Sequence, residues 1–149
     1  MAVSQSVSLT QGTQSVSNNT TQVTFKWTST QTGESWNGYT KTAYYYVSIN
    51  GGAETTYSVS YALPKASTTT IASKTFTVTH NNDGTGKISV RTWMDTGISA
   101  GVVEKSASLT LTTIPRASSF GTISGTTIGS NMTVNISRKD SSFTHQLWY

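Results

Sequence analysis

The sequence predicts an all-β chain: an antiparallel, immunoglobulin-like β-sandwich followed by a linker and the first strands of a second β domain. Three observations carry this. Apolar and polar residues alternate with a period of two along much of the chain, turn-forming Asn-Gly and Asp-Gly steps interrupt the alternation, and apolar residues nowhere recur at helical spacing over three turns. Composition agrees. Ser and Thr supply about a third of the 149 residues, only 11% are charged, and Pro occurs twice. A disordered chain would carry more charge and fewer aromatic and β-branched residues. Thr on a wet face, with Val, Ile or aromatics on a dry one, suits a pleated, half-buried strand.

In order along the chain, residues 3–10 alternate Ser with Val and Leu. Val23, Phe25 and Trp27 then form a dry face against Thr24, Lys26 and Thr28, with Trp27 a candidate core anchor. Ala43, Tyr45, Val47 and Ile49 form the next dry face, leaving Tyr44 and Tyr46 on the other side. Asn50-Gly51-Gly52 supplies the positive φ angles of a tight turn, and residues 53–61 return as a strand. Residues 71–80 form another strand with Phe76 and Val78 in phase, ending in a second turn at Asn82-Asp83-Gly84. Ile88, Val90, Thr92 and Met94 share a face of the strand at 87–94, and Ala107, Leu109 and Leu111 share one at 103–113. About seven strands by residue 113, with a turn signal every ten or so residues, match a sandwich. The absence of cysteine excludes the disulfide-pinned antibody type but not its relatives.

The pattern breaks at Pro115, which lacks a ladder donor. Residues 1–113 are therefore read as the sandwich domain, 114–119 as a linker, and 120–149 as the start of a second, truncated β domain. In that part Met132, Val134 and Ile136 are in phase, as are Phe143, His145, Leu147 and Tyr149. The alternative is that these strands complete the first domain.

The chemical inventory argues against catalysis. The acidic residues are Glu34, Glu54, Asp83, Asp95, Glu104 and Asp140, and no pair is marked out as flanking a scissile bond. Asp83 and Asp140 stand in turn contexts. His80 and His145 lie far apart without clustered carboxylates, so each reads as a hydrogen-bonded, partly buried structural residue and no metal is expected. No Gly-x-Ser-x-Gly elbow is present. Residues 81–86 look superficially like a calcium loop but lack the alternating ligands and the later bidentate Glu, and a β-turn explains them. Sequons at Asn19, Asn131 and Asn135 are expected by chance in so Ser/Thr-rich a chain. No cofactor is implied. The net charge of +4 is spread over single Lys and Arg residues rather than gathered on a stripe, which argues against nucleic acid as partner. No segment approaches the length of a membrane span, and the first residues lack the regions of a secretory signal.

Aromatic residues out of phase with the core are the candidate contacts. Tyr44 and Tyr46 point away from the dry side of their strand, and Trp93 beside Arg91 is out of phase with Ile88, Val90 and Met94. Trp36 and Tyr39 fall in the loop at 33–39, where burial is less automatic. These six residues could pack against another domain or subunit, since Tyr, Trp and Arg are favoured at protein interfaces. They could instead stack on saccharide, or for the strand residues lie in the core beneath the strand at 53–61.

The run from Ser108 to Ser118, Ser-Leu-Thr-Leu-Thr-Thr-Ile-Pro-Arg-Ala-Ser, resembles a junction in tail- and baseplate-associated structural proteins of tailed phages infecting Gram-positive bacteria. Three further segments are similar: the hairpin at 76–84, the Tyr/Val-rich strand at 44–51, and Ser137-Arg138 followed by Phe143-Thr144-His145 and a Leu-x-Tyr strand. The resemblance spans roughly residues 20–149 and is to a siphovirus structural protein family of unknown function. It implies a virion component in a tail tip, baseplate or tail fibre, extracellular after release. The implied partners are other tail proteins and further copies of the chain. A host cell-wall saccharide is the alternative partner, and a cell-wall hydrolase is the more remote reading.

Overall fold

Alternation becomes strand where the dry residues are apolar. A computed structural model describes residues 3–32, 40–96, 101–116, 123–128 and 131–136. The strands are β1 (Val3–Ser15), β2 (Thr20–Gln31), β3 (Lys41–Ile49), β4 (Thr55–Tyr61), β5 (Ser67–Thr79), β6 (Lys87–Asp95), β7 (Val102–Thr110), β8 (Ile123–Ile128) and β9 (Asn131–Ile136). Among the described residues there is no helix. The chain divides into two compact units, Met1–Ile114 and Pro115–Tyr149.

In the first unit, a three-stranded antiparallel sheet ordered β1-β2-β5 packs on a four-stranded antiparallel sheet ordered β4-β3-β6-β7. This is the immunoglobulin-like sandwich that the sequence predicts, with one specific feature. In the constant-type arrangement the fourth strand joins the sheet of the first two. Here β4 pairs with β3 instead. The second unit contains the antiparallel pair β8-β9, of which the sequence marked only β9.

The core lies between the sheets. Val23, Phe25 and Trp27 of β2 face Ala43, Tyr45 and Val47 of β3 and Ile88, Val90 and Met94 of β6, all buried. The Phe25 and Tyr45 rings pack 4.9 Å apart between centroids, tilted by 35°. Burial of a side chain as large as Phe25 stabilises by ~2–3 kcal/mol, so the aromatic layer is a principal source of stability. Trp27 is fully buried, and its indole N–H donates to Gln5 Oε1 at 3.1 Å, which satisfies its one polar atom.

Two turns take the geometry that their sequence dictates. Asn50 and Gly51 have φ of +52° and +74°, and the Gly52 N–H bonds the Ile49 carbonyl at 2.9 Å, as in a type I′ turn. Asp83 caps its own turn, its Oδ1 accepting from the Thr85 N–H at 2.9 Å. The segment at 76–84, however, is not a hairpin. β5 and β6 belong to different sheets, so its turn carries the chain across the sandwich.

Strand limits also differ from expectation where Ser and Thr obscure them. β1 runs to Ser15, and β5 begins at Ser67 because Ser67 to Thr70 pair with Thr28 to Gln31. β7 stops at Thr110 because the backbone then bonds a loop rather than a strand. The Leu111 N–H donates to Gly86 O at 2.8 Å and the Ile114 N–H to Gly84 O at 2.9 Å. Ile114 is wholly buried and belongs to the first unit.

Candidate functional site

The two outer faces of the sandwich differ sharply in chemistry. On the three-stranded sheet the register puts Ser4, Ser6, Ser8 and Thr10 beside Thr24, Lys26, Thr28 and Thr30. Thr68, Thr70, Ser73, Thr75 and Thr77 lie on the other side of β2. This face is hydroxyl-rich and carries no aromatic residue. Its side chains bond one another across strands, as in Thr30 Oγ1 to Thr68 Oγ1 at 2.8 Å and Gln22 Nε2 to Thr77 Oγ1 at 3.0 Å.

The outer face of the four-stranded sheet carries four of the six candidate residues in one cluster. The β3–β6 register sets Tyr44 opposite Trp93 and Tyr46 opposite Arg91. The Tyr44 and Trp93 rings lie 5.9 Å apart, tilted by 52°. Tyr44 is 36% exposed, one of the few large apolar side chains open to water among the described residues. The Arg91 guanidinium lies 4.0 Å over the Tyr46 ring and donates to Glu54 Oε2 at 3.0 Å. Those contacts fix a planar cation on an aromatic face, an arrangement that Lys could not reproduce. The hydrogen bond to Glu54 holds Arg91 more firmly protonated than usual; slight desolvation opposes this, and the charge of Glu54 and the neighbouring Tyr46 and Glu104 add to it.

Polar residues ring the cluster. Ser58 and Thr56 of β4 lie beside Tyr44 and Tyr46. Glu104 and Ser106 of β7 lie beside Trp93 and Arg91. A shallow depression of about 370 Å³, lined by Glu54, Ser89, Arg91, Ser106 and Ser108 among others, opens next to the guanidinium. Strand β4 lies in the plane of the sheet beside β3 and does not cover Tyr44 and Tyr46, so the core reading of these two is corrected.

Trp36 and Tyr39 lie outside the described residues. So do Phe143, His145, Leu147 and Tyr149. Glu54 and Glu104 complete the cluster but carried no signal of their own. Only the registers about the Asn50-Gly51 turn and across β6–β7 bring them to Arg91 and Trp93.

His80 is a structural residue. It is buried, and its Nδ1 donates to the Gly84 carbonyl at 2.7 Å, while its Nε2 hydrogen-bonds the Thr21 hydroxyl at 2.7 Å. Among the described residues no three His, Asp or Glu side chains converge in a metal-binding group.

Comparison with known proteins completes the description. No curated protein and no solved structure matches the chain. The family model described as "Siphovirus protein of unknown function (DUF859)" matches residues 4–149. That span includes both units and suggests a phage structural role. The chain belongs to this siphovirus family.

Proposed function

We propose that the chain is a structural and interaction module of the phage tail, in a tail tip, baseplate or tail fibre. Its first unit presents the outer face of the four-stranded sheet to another tail protein near the host cell wall. The observation that carries this reading is the contrast between faces: a hydroxyl-rich face without aromatics on one sheet, and Tyr44, Trp93, Tyr46 and Arg91 gathered on the other. Tyr, Trp and Arg are the residues that dominate binding energy at protein interfaces, especially inside a polar ring that excludes water. Small-molecule sites are by contrast concave and enclosed, and this surface is a sheet face with shallow relief. Repeated copies in a symmetric particle would make weak single contacts effective through avidity. No reaction and no cofactor are part of the proposal.

The test is a pull-down of dissociated tail proteins on the immobilised full chain, with the double variant Tyr44→Ala, Trp93→Ala. Both side chains lie on the outer face, so thermal melting should confirm that the variant stays folded. The expected result is a tail protein retained by the wild type and lost by the variant. Equal retention by both would falsify the assignment of the face. The Tyr44–Trp93 pair, exposed at Tyr44 and half-buried at Trp93, lies beside hydrogen-bonding side chains and also favours a second reading, a host cell-wall saccharide as the ligand. Retention of purified wall polysaccharide, again lost in the double variant, would decide for it.

A further inference from the structure

Among the described residues the first unit has four edge strands, and they are not alike. An open edge presents unpaired N–H and C=O groups to any other strand, and proteins block such edges with bulges, inward-pointing charges or covering segments. Strand β1 carries a register shift between Gln11 and Gln14. The side chains of those two residues bond the backbone of Thr112, so that flank is occupied. On β7, Lys105 stands opposite the buried Thr92, in the inward phase. On β5, Lys74 stands opposite the buried Phe25, also in the inward phase, with its ammonium 4.0 Å from the centre of the Tyr57 ring.

Among the described residues, strand β4 itself has none of these devices. Its sequence, Thr55-Thr56-Tyr57-Ser58-Val59-Ser60-Tyr61, holds no charge, Pro or Gly and is rich in strand-forming residues. It ends its sheet, paired to β3 on one side only. We propose that β4 is a self-association edge: β4 of one copy pairs antiparallel with β4 of a second copy, joining two four-stranded sheets into one of eight strands.

The strand is self-complementary about its centre. A two-fold axis at Ser58 places Ser58 opposite Ser58, Thr56 opposite Ser60, and Tyr57 opposite Val59 of the second copy. Inward residues then meet inward ones and outward meet outward, because the alternation along β4 is preserved. The pairs so formed are an aromatic with a β-branched residue on the core side and hydroxyls on the wet side, both favourable across strands. Tyr57 and Val59, half-buried in one copy, lose further exposure. No charge within the strand opposes the pairing. The inference goes beyond the outer-face reading, since it concerns the edge of the sheet and would stand if Tyr44 and Trp93 bound nothing.

The experiment is sedimentation of the full chain over a range of concentrations, with Ser58→Lys and Ser58→Glu variants alone and mixed. Ser58 is exposed on the outer face, so either substitution is tolerated in a single copy, as a melting curve would verify. In the proposed dimer, position 58 meets itself, and like charges there oppose each other. The expected result is a wild-type dimer, at least about tenfold weaker self-association in either variant, and a one-to-one heterodimer when the two are mixed. Ser6→Lys, on the outer face of the other sheet, should leave dimerisation unchanged. A monomeric wild type overturns the proposal. So does a Ser58→Lys variant that self-associates like the wild type, or a mixture no tighter than its components.

Discussion

Tyr61 stands where the apolar core meets the polar end of the sandwich. Its ring is 5% exposed, and its hydroxyl donates to the Asp95 carbonyl. The Asp95 carboxylate in turn pairs with Lys41 at 2.9 Å. Burial, assisted by the negative charge of Asp95, pushes the Tyr61 phenol up to about 12 from the ordinary 10.0. The folded chain therefore keeps this proton after the unfolded chain has lost it. The stability linked to Tyr61 is full below pH 10 and falls as the pH climbs from 10 toward 12. Tyr61→Phe should remove that slope and, by leaving a carbonyl without its donor, cost about 1–2 kcal/mol at pH 8. Urea unfolding at intervals from neutral pH to above pH 11 would show both effects. Some slope remains in the variant, because burial and the neighbouring Tyr57 raise Tyr45 in the same direction.

At the scale of elements, the β3–β4 turn does more than reverse the chain. The Asn50 side chain accepts from the Lys87 N–H at 2.9 Å and donates to the Thr79 carbonyl at 2.8 Å, so one residue ties β3 to strands in both sheets. Asn50→Gly keeps the positive φ and loses only the two bonds, which should cost about 1–2 kcal/mol. Asn50→Ala also forces a left-handed backbone on a residue with a Cβ, raising the loss to about 2–3 kcal/mol. Chemical denaturation of the two variants in parallel would separate backbone conformation from bonding. The turn was legible because Asn-Gly encodes φ locally. Asn82-Asp83-Gly84 was equally legible as a turn, but nothing local states whether the next strand returns to the same sheet. Strands β2, β3 and β6 stood out because Val, Phe, Trp, Tyr and Ile mark their dry faces. The beginning of β5 is Ser-Thr-Thr-Thr, with no contrast between faces, and only pairing to β2 makes it a strand. The same division holds for the candidate surface. That Tyr44, Tyr46 and Trp93 point away from the core followed from phase, whereas their convergence with Arg91 and Glu54 depends on long-range register that a single sequence does not display.

At the scale of the molecule, the first unit closes on itself just before the second begins. The segment from Leu111 to Ile114 runs past the last strand and is gripped from two sides. Gly86 and Gly84 accept its N–H groups, while the Gln11 and Gln14 side chains bond Thr112. Behind that loop, His80 bonds the Gly84 carbonyl and fixes its direction. The approach is so close that a Cβ on Gly84 would lie 2.0 Å from the Ile114 carbonyl oxygen, and its φ of +83° disfavours any side chain. Backbone on backbone offers no rotamer to relax the clash. The backbone bonds that close the first unit end at Ile114, so its stability should depend on residues up to Ile114 and not on those after Arg116. Gly84→Ala in the full chain should destabilise that unit by about 3 kcal/mol or more. A chain ended after Arg116 should unfold at the same denaturant midpoint as the first unit of the full chain. A chain ended after Thr110, which removes the buried Leu111 and Ile114 with their bonds, should be destabilised at least as much as Gly84→Ala. If the 116-residue chain were the less stable of the two truncations, the first unit would not end where its backbone bonds do.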